Sequence, residues 1–569
     1  MRVLPHVVEQ IKSTLVHRYT RLITAASASS PVSLRALLPI HARAIVLGVS
    51  ANPAFATSLL AGVAPASLAY ARRVFDATPV RDAYMWNTLL RAHSHSQLSH
   101  AADTLALYKR MRAAGVAPDH YTYPIVLPAC AAARELWHGR AVHGDVVRFA
   151  LAGDGFVHSA LITMYFQEGE VADAELVFAE SHGSSRTVVS WTSMVAGYVQ
   201  NYYFGEAVAL FGTMIAEGVL PNEITLISFL PCLQGQEWLD AGEMVHGFVI
   251  RLGFDANIPL ANALIAMYGK CGSIPMAQTL FEGMPARSLA SWNTMVAMYE
   301  QHADVVEAIK FFRRMLTEKV GFDCVTLVSV LSACARSGAL QTGKWVHELA
   351  RNHGLDTDAR IGNVLVDMYA KCGEITSARN VFDCLRMRSV VSWSAMISAY
   401  ANHGASEEAL KLFSLMKNEG VRPNSFTFTA VLVACGHSGL VEEGLKHFNS
   451  ILSDYQMSPT LEHYACMVDM LGRAGRLIEA YEIIRGMSLR PDKCVWGAFL
   501  AGCKLHGNLE LAEFVARDLF QSGSNDVTFY VLMSNMYFEA GMLKDAERMR
   551  WAMKEMELNK TAGRSAINQ

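Results

Sequence analysis

The sequence is poor in charge and contains no paired cysteines, and each shortage excludes a class of protein. Only 18% of its 569 residues are charged, whereas 52% are hydrophobic. This excludes a solvated disordered chain, because such chains have too little apolar surface to offset the entropy lost on ordering. None of the eleven cysteines forms a Cys-x-x-Cys pair. We therefore expect reduced, small core residues rather than a disulfide framework.

Excess positive charge is also missing. The formal net charge is −3 and the pI is near 6.7, which argues against a uniformly basic nucleic-acid binder held by phosphate contacts alone. The charge is unevenly spread, because the first 75 residues hold eight basic side chains and one acid, leaving −10 for the remainder.

Signatures of catalysis are absent as well. A zinc-dependent nucleobase deaminase requires His-x-Glu followed by Pro-Cys-x-x-Cys, and neither occurs. A Walker phosphate loop and a Gly-x-Ser-x-Gly elbow are also missing. We expect no enzyme, and no catalytic residue, metal site or cofactor is predicted.

The basic start of the chain is rich in Ser and Thr, has alternating apolar residues and lacks a secretory hydrophobic region. This pattern is typical of an organelle transit peptide, so residues 1–17 are predicted to be a targeting segment. An ordinary basic first helix is the alternative.

A stretch without charge from Ile45 to Ala71 is long enough to raise the question of a membrane span. Asn52, Pro53 and Pro65 interrupt it. A buried helix pair is the preferred interpretation, and no membrane partner is expected.

The main positive signal is an internal repeat of about one hundred residues. Trp191, Trp292 and Trp393 are spaced by 101 residues, and Trp86 and Trp496 flank them. His143, His246 and His347 recur with the same period, as do Tyr165, Tyr268 and Tyr369. Since these histidines occur once per period, we interpret them as structural rather than metal-binding.

Each period divides into three parts, and each part contains two runs with helical spacing of apolar residues. A glycine separates the two runs and an alanine follows five residues later, in the pairs Gly169/Ala174, Gly272/Ala277, Gly373/Ala378, Gly404/Ala409, Gly475/Ala480 and Gly541/Ala546. A helix hairpin that cannot bury its own apolar face must stack on its neighbours. The sequence therefore predicts an α-solenoid.

Two signatures recur in register: Val-Val-Ser-Trp, as in Val188–Trp191, and Met-Tyr-x-Lys-Cys-Gly, as in Met267–Gly272. They resemble the plant pentatricopeptide repeat subfamily that alternates standard, long and short motifs. The resemblance implies an all-α, right-handed α-solenoid (superhelix) of helix-turn-helix repeats. It assigns residues 18–492 to an array of about 14 repeats and 493–569 to C-terminal extension motifs, without a deaminase domain.

Standard motifs are predicted to begin at 83, 188, 289 and 390. Long motifs begin near 18, 120, 223, 324 and 425, and short motifs near 53, 155, 258, 359 and 461. The extension motifs begin at 493 and 527, where Trp496–Cys503 and Tyr530–Tyr537 carry the match.

Repeats of this class read single-stranded RNA one base at a time. The resemblance implies that the fifth and the last residue of a repeat face the base, which defines eight pairs in standard and short motifs: Thr57/Asp82, Asn87/Asp119, Ser159/Thr187, Thr192/Asn222, Asn262/Ser288, Asn293/Asp323, Asn363/Ser389 and Ser394/Asn424. The family pattern assigns them G, U, an unresolved base, A, C, U, C and A, which implies the target 5′-GUn(n)AnCUnCA-3′.

The corresponding long-motif residues Pro124, Ile227 and Val328 have no polar side-chain group for a base. Apolar residues beside the pairs, such as Val189 and Val391, are expected to sandwich bases. Stacking and base-edge hydrogen bonds need fewer cations than phosphate binding does, which answers part of the objection raised by the acidic net charge.

The resemblance predicts a site-recognition factor for cytidine-to-uridine editing in a plant organelle. Such a factor would bind single-stranded organelle RNA, while its extension recruits a deaminase-bearing pentatricopeptide repeat protein and accessory editing factors. Mitochondrion is the predicted location and chloroplast the alternative. At the end of the extension, the family's Lys-x-Pro-Gly-x-Ser-Trp-Ile reads Lys560-Thr-Ala-Gly-Arg-Ser-Ala-Ile567, which would impair recruitment.

Two other functions remain open. An RNA-binding factor without editing would act in transcript stability, splicing or translation. A protein-binding scaffold would use the solenoid without RNA.

Overall fold

The computed structural model describes residues 3–27, 34–94, 101–134, 136–180, 186–521 and 527–555. Across these residues the regular structure is helical and contains no strand. Contacts divide the chain into two compact units, Met1–Arg287 and Ser288–Gln569. The predicted all-α solenoid of helix hairpins is confirmed.

The first unit contains sixteen α-helices in its described residues: α1 (Val3–Ser27), α2 (Leu34–Val46), α3 (Pro53–Val63), α4 (Leu68–Ala77), α5 (Ala83–Ser94), α6 (Ala101–Ala113), α7 (Tyr123–Ala133), α8 (Leu136–Arg148), α9 (Gly155–Glu168), α10 (Val171–Glu180), α11 (Val188–Gln200), α12 (Phe204–Ala216), α13 (Glu223–Phe229), α14 (Leu239–Arg251), α15 (Ile258–Lys270) and α16 (Ile274–Gly283).

The second unit contains sixteen more within the part that is described: α17 (Leu289–Gln301), α18 (Val305–Thr317), α19 (Cys324–Ser337), α20 (Leu340–Asn352), α21 (Ala359–Lys371), α22 (Ile375–Cys384), α23 (Val390–Asn402), α24 (Ser406–Asn418), α25 (Ser425–Ser438), α26 (Val441–Ser453), α27 (Leu461–Arg473), α28 (Leu477–Arg485), α29 (Lys493–Leu505), α30 (Leu509–Gln521), α31 (Val527–Glu539) and α32 (Leu543–Glu555).

The odd-numbered helices form one continuous layer in each unit. Every odd helix packs against the next odd helix of its unit, and each of them except α13 also packs against the even helix that follows it. Helix α13 ends early, at Phe229, and a short 3-10 turn over Leu230–Cys232 replaces its last turn. Pro231 explains the change, because proline has no N–H with which to continue the helix.

The odd helices begin where the motif spacing predicts. Helices α5, α11, α17 and α23 start at 83, 188, 289 and 390, and α29 and α31 start at 493 and 527. Two long motifs differ, because α1 starts at Val3 instead of near 18 and α7 starts at Tyr123 instead of 120. Pro124 lacks the N–H that would bond to the carbonyl group of His120, so a turn precedes the helix.

The helix α1 runs from Val3 to Ser27 and packs against α2 and α3. The predicted boundary between a targeting segment and the array, at residues 17 and 18, lies inside this helix. The boundary stays a prediction.

The paired glycines and alanines have the predicted roles. Gly169, Gly272, Gly373, Gly404, Gly475 and Gly541 all adopt positive φ, between 73° and 86°, a conformation that ends a helix and that glycine adopts without steric cost. The alanines five residues later are at most 3% exposed. Each glycine therefore ends the odd helix, and each alanine lets the even helix pack closely.

Two recurring sequence motifs meet inside the hairpin stack. Gly-x-x-x-His lies on an even helix and Met-Tyr on the odd helix that follows it. A Cβ atom at Gly343 would lie 2.5 Å from Met368 Sδ, so glycine makes room for the methionine. His347 Nδ1 lies 2.9 Å from Tyr369 Oη, and the equivalent pairs His143–Tyr165 and His246–Tyr268 are both 2.8 Å apart. Each of these histidines therefore contacts a tyrosine of the following odd helix, as a structural role requires.

The uncharged stretch after Ile45 forms the end of α2, all of α3 and the start of α4. Helices α3 and α4 pack together as a helix pair, and α3 also packs against α2. No helix in the described part of the chain is long and apolar enough to cross a membrane.

The histidine–tyrosine pairs predict a pH-dependent stability. Burial lowers the pKa of His143, His246 and His347. The folded chain therefore keeps these histidines neutral at a pH where the unfolded chain, whose histidine pKa values are about 6.5, takes up protons. Stability should therefore be full above about pH 6.5 and fall below it. We expect the thermal midpoint to drop between pH 7 and 5 in circular dichroism. The drop should be smaller for His246→Gln/His347→Gln, and an equal drop in both proteins would contradict the assignment.

Candidate functional site

Seven of the eight predicted pairs lie along seams between consecutive odd helices of one unit. The first residue of each pair is in the first two turns of an odd helix, and the second immediately precedes the next odd helix, except for Asp119, which is followed by a turn before α7 starts at Tyr123. Asn293, for example, lies in α17 and Asp323 precedes α19, and these two helices pack side by side. The seam therefore brings together residues that are about thirty positions apart in sequence.

The second residue of most pairs is a helix N-cap, whose side-chain oxygen accepts a hydrogen bond from the backbone of the following helix. This holds for Asp82 at α5, Thr187 at α11, Asn222 at α13, Ser288 at α17, Asp323 at α19, Ser389 at α23 and Asn424 at α25. Asp119 bonds to the backbone N–H groups of Tyr121 and Thr122 in the turn before α7. Capping therefore fixes the position of these side chains.

In the four standard motifs a threonine hydroxyl links the two residues of the pair. These threonines are the third residues of the following long motifs, Thr122, Thr225, Thr326 and Thr427, and each is 0% exposed. We call them bridging threonines.

The bridging contacts are short at all four sites. The hydroxyl oxygen lies 2.8 Å from Asn87 Oδ1, 2.7 Å from Thr192 Oγ1, 2.6 Å from Asn293 Oδ1 and 2.6 Å from Ser394 Oγ. The same hydroxyl lies 2.8 to 3.0 Å from Oδ1 of the second residue, which is Asp119, Asn222, Asp323 or Asn424. Within the described residues, each standard pair is thus one hydrogen-bonded network.

Asp323 illustrates the electrostatics of such a network. Burial of the carboxyl opposes its ionisation, but hydrogen bonds from the Thr326 backbone N–H and the Asn293 amide, with the Thr326 hydroxyl 3.0 Å away, outweigh burial, so its pKa lies below the ordinary value. All of these bonds reach Oδ1. The carboxylate is therefore ionised at neutral pH, and Oδ2 can accept a further hydrogen bond.

The first residues of the short motifs make different contacts in the part of the chain that is described. The hydroxyl groups of Thr57 and Ser159 each donate to the carbonyl four residues earlier, at 2.7 Å. Asn262 Oδ1 and Asn363 Oδ1 are buried without a hydrogen-bond partner. Asn262 belongs to the first unit and Ser288 to the second, so that pair stays a sequence prediction.

An exposed apolar side chain precedes most first residues by three positions, which places both on one helix face. Val189 and Val391, expected from the sequence, are 46% and 54% exposed. Tyr84 and Phe156 occupy the equivalent places beside Asn87 and Ser159, and each is 68% exposed. The sequence interpretation missed Tyr84 and Phe156. The available signal was that each precedes the first residue of a predicted pair by three positions.

An open groove of about 1230 Å³ lies beside Asn87. Tyr84, Tyr121 and Arg91 line it, together with the turn between α3 and α4. Two exposed rings, an amide and a guanidinium thus surround a space large enough for a flat polar ring.

Arginines that the sequence interpretation missed hold the second residues in place. Arg81, Arg287 and Arg388 each directly precede the second residue of a pair. Each guanidinium donates to the last carbonyl groups of the preceding even helix. It also lies over a phenylalanine ring of that even helix, 4.8 or 4.9 Å from the ring centroid. Arg186 lies over Phe178 at 4.8 Å in the same manner. These arginines recur in the sequence with the same period as the tryptophans, and that recurrence was the signal that could have identified them.

Half of the arginines and lysines on the odd helices are neutralised, counting those whose side chains the structure describes. Five form ion pairs: Arg336 with Glu300, Arg360 with Asp358, Lys371 with Asp367, Arg473 with Asp469 and Lys504 with Glu539. The exposed cations without an ion-pair partner among these residues are Arg18, Arg21, Arg91, Lys270 and Lys493. The odd-helix layer therefore offers scattered positive charges instead of a dense basic track.

The extension is built like the repeats that precede it. Helices α27 to α31 share one apolar core that includes Val495, Phe499 and Met533. The predicted departure at Lys560–Ile567 lies outside the described residues. No group of three or more metal-ligating side chains occurs in the part of the chain that is described.

Comparisons with protein families match repeats between residues 189 and 490 and a motif in the extension. The PPR repeat matches residues 189–219, 261–289, 290–320, 363–390, 426–454 and 462–490. The PPR repeat family matches 388–437, and the E motif matches 506–568.

Related proteins of Arabidopsis thaliana carry pentatricopeptide repeats. A mitochondrial pentatricopeptide repeat-containing protein is 39% identical over 88% of this chain and 76% of the relative. A chloroplastic one is 37% identical over 87% of this chain and 61% of the relative.

Solved structures share the fold. The pentatricopeptide repeat protein PPR10 from maize has a TM-score of 0.54 and 18% identity, with 98% of this chain and 93% of that chain covered. PPR10 in complex with an 18-nucleotide psaJ RNA element has a TM-score of 0.55 and 20% identity, with 95% of this chain and 87% of that chain covered.

The arginine contacts predict a measurable loss of stability. Arg388→Leu removes the bonds to two carbonyl groups, the stacking on Phe382 and two half-exposed ion pairs, with Asp383 and Glu419, that add little. We therefore expect a loss of about 1 to 2 kcal/mol and a lower midpoint in urea unfolding. The matched control is Arg386→Leu, because Arg386 is exposed and makes no ion pair in the described residues. Equal midpoints for both variants would refute the anchoring role of Arg388.

Proposed function

The chain belongs to the pentatricopeptide repeat family of plants, and from this premise we propose that it binds single-stranded organelle RNA with sequence preference. The observation that carries the proposal is the seam of hydrogen-bonded pairs between consecutive odd helices. Amide, hydroxyl and carboxylate groups stand there at regular intervals, which is the chemistry that reads base edges.

Stacking supports the same function. The exposed side chains Val189 and Val391 lie on the helix face of the pairs, and Tyr84 and Phe156 offer aromatic surfaces. Contact of a base with an aromatic ring is worth about 1 to 3 kcal/mol. Since half of the described cations of this layer are ion-paired and the others are scattered, we propose that affinity comes chiefly from stacking and base edges, with a smaller contribution from contacts of the unpaired cations with phosphate.

Within this function, we propose that the chain selects a cytidine for conversion to uridine. The E motif match supports this choice, because editing factors of the subfamily that it resembles carry such a motif after their repeats. The deaminase would act in trans, brought by a deaminase-bearing pentatricopeptide repeat protein and accessory factors. The organelle relatives are mitochondrial and chloroplastic; we propose the mitochondrion.

Transcript sequencing tests the editing role. In a plant line that lacks the protein, we expect loss of conversion at one cytidine downstream of a sequence matching 5′-GUn(n)AnCUnCA-3′. Reintroduction of the full chain should restore it. Altered transcript ends, retained introns or reduced translation with intact editing would instead support the RNA-binding alternative.

A binding assay tests base reading at one pair. Asn293→Thr replaces an amide by a hydroxyl, so we expect the preference at the nucleotide assigned to Asn293 to move from U towards G, by about 1 kcal/mol or more. Relative affinities for RNA probes that differ only at that nucleotide measure the shift. Unchanged affinities for U and G would refute the assignment, and absence of any sequence preference in the unmodified chain would favour a protein scaffold.

A further inference from the structure

Asn293 and Asn363 share a residue type and a position in their repeats, but they have different partners. The Thr326 hydroxyl lies 2.6 Å from Asn293 Oδ1 and donates to it, while Asn293 Nδ2 donates to Asp323 Oδ1 at 3.1 Å. Asn87 has the same arrangement with Thr122 and Asp119, at 2.8 Å for both contacts. Asn363 Oδ1, in contrast, is buried without a partner.

The difference arises from the third residue of the following motif. Thr326 follows the standard pair and reaches back to the amide. Ser392 follows the short pair, and its hydroxyl lies 3.2 Å from the Oγ atom and 3.2 Å from the backbone nitrogen of Ser389, in a capping box. Within the described residues Ser392 makes no bond to Asn363, so nothing orients that amide.

This orientation determines which group of the amide remains for a base. With its carbonyl oxygen occupied and one N–H bonded to Asp323, Asn293 has one N–H left to donate. Asn363 has an unsatisfied carbonyl oxygen, and leaving such a buried acceptor unpaired costs about 1 to 3 kcal/mol. The first arrangement complements an acceptor on the base, whereas the amide of Asn363 is not held in this orientation.

The two pyrimidines differ in this property. Uracil presents its O4 acceptor where cytosine presents its exocyclic amine donor. We propose that the bridging threonines Thr122 and Thr326 are positioning residues that make the preceding asparagine select uracil over cytosine. They act by holding the amide with its N–H towards the base, and this inference rests on the proposed function of RNA reading.

Asp323 also favours uracil, because its free carboxylate oxygen can accept the ring N–H that uracil has and cytosine lacks. Thr326 adds to this preference by preventing the amide from turning over. Removing the hydroxyl while keeping the carboxylate therefore isolates the role of the threonine.

The variant Thr326→Val removes the hydroxyl with little change in shape. We expect the preference for U over C at the nucleotide assigned to Asn293 to fall about three- to tenfold, since one net hydrogen bond is worth about 0.5 to 1.5 kcal/mol. Binding of the full chain to single-stranded RNA probes with U or C at that nucleotide, and otherwise identical, measures the ratio. Thr326→Ser retains the hydroxyl and should keep the preference.

Ser392→Ala is the matched control, because it removes an equally buried hydroxyl from the same kind of capping box without touching a paired amide. We expect it to lower the thermal midpoint and leave the preference for C over U at the nucleotide of Asn363 unchanged. Thr122→Val, tested at the nucleotide of Asn87, is an independent second site should Thr326→Val fold poorly.

Each outcome is decisive. A lower U/C ratio in the Val variants, with the ratio kept in Thr326→Ser and the control, supports the proposal. An unchanged ratio in folded Val variants overturns it while leaving RNA reading intact, as does an equal loss of preference in the control. Absence of any base preference in the unmodified chain overturns the proposed function itself, and the inference with it.

Discussion

The side-by-side packing of consecutive odd helices is the constraint on which the structure depends. A single hairpin of this chain cannot cover its own apolar face, so the odd helices of each unit must lie against one another. Fully buried side chains such as Trp191, Trp393 and Phe382 fill this stack. Because the repeat period is regular, the same sequence positions meet at each seam, and a line of polar pairs follows from packing that primarily buries apolar surface.

Helix capping gives these pairs their precision. Asp323 Oδ1 accepts a hydrogen bond from the Thr326 backbone N–H at the start of α19, a group that has no partner within the helix. The second carboxylate oxygen of Asp323 is then available at the seam. The preceding arginines add a second restraint, since Arg388 anchors the residue before Ser389 to the end of α22. Local requirements of helix starts and ends therefore position the groups that we propose to read RNA.

The charge distribution is consistent with readout by individual atoms. Ion pairs neutralise half of the odd-helix cations in the described residues and the others are scattered, while exposed apolar side chains such as Val189 and Tyr84 lie next to the pairs. A long-range electrostatic field would attract any nucleic acid and would discriminate little between sequences. An amide whose hydrogen bonds are already assigned, as at Asn293, discriminates by the donor or acceptor that remains.

The sequence by itself determined the class of fold and the starts of the odd helices at 83, 188, 289 and 390, because apolar periodicity, capping residues and helix-ending glycines are local features. It missed the shift of α7 to Tyr123 and the anchoring arginines, whose partners are carbonyl groups at the ends of other helices. Only the tertiary structure decided that Asn293 is oriented by Thr326 whereas Asn363 Oδ1 is left unpaired. That distinction depends on hydrogen bonds between residues some thirty positions apart, and such contacts exist only once neighbouring helices have packed.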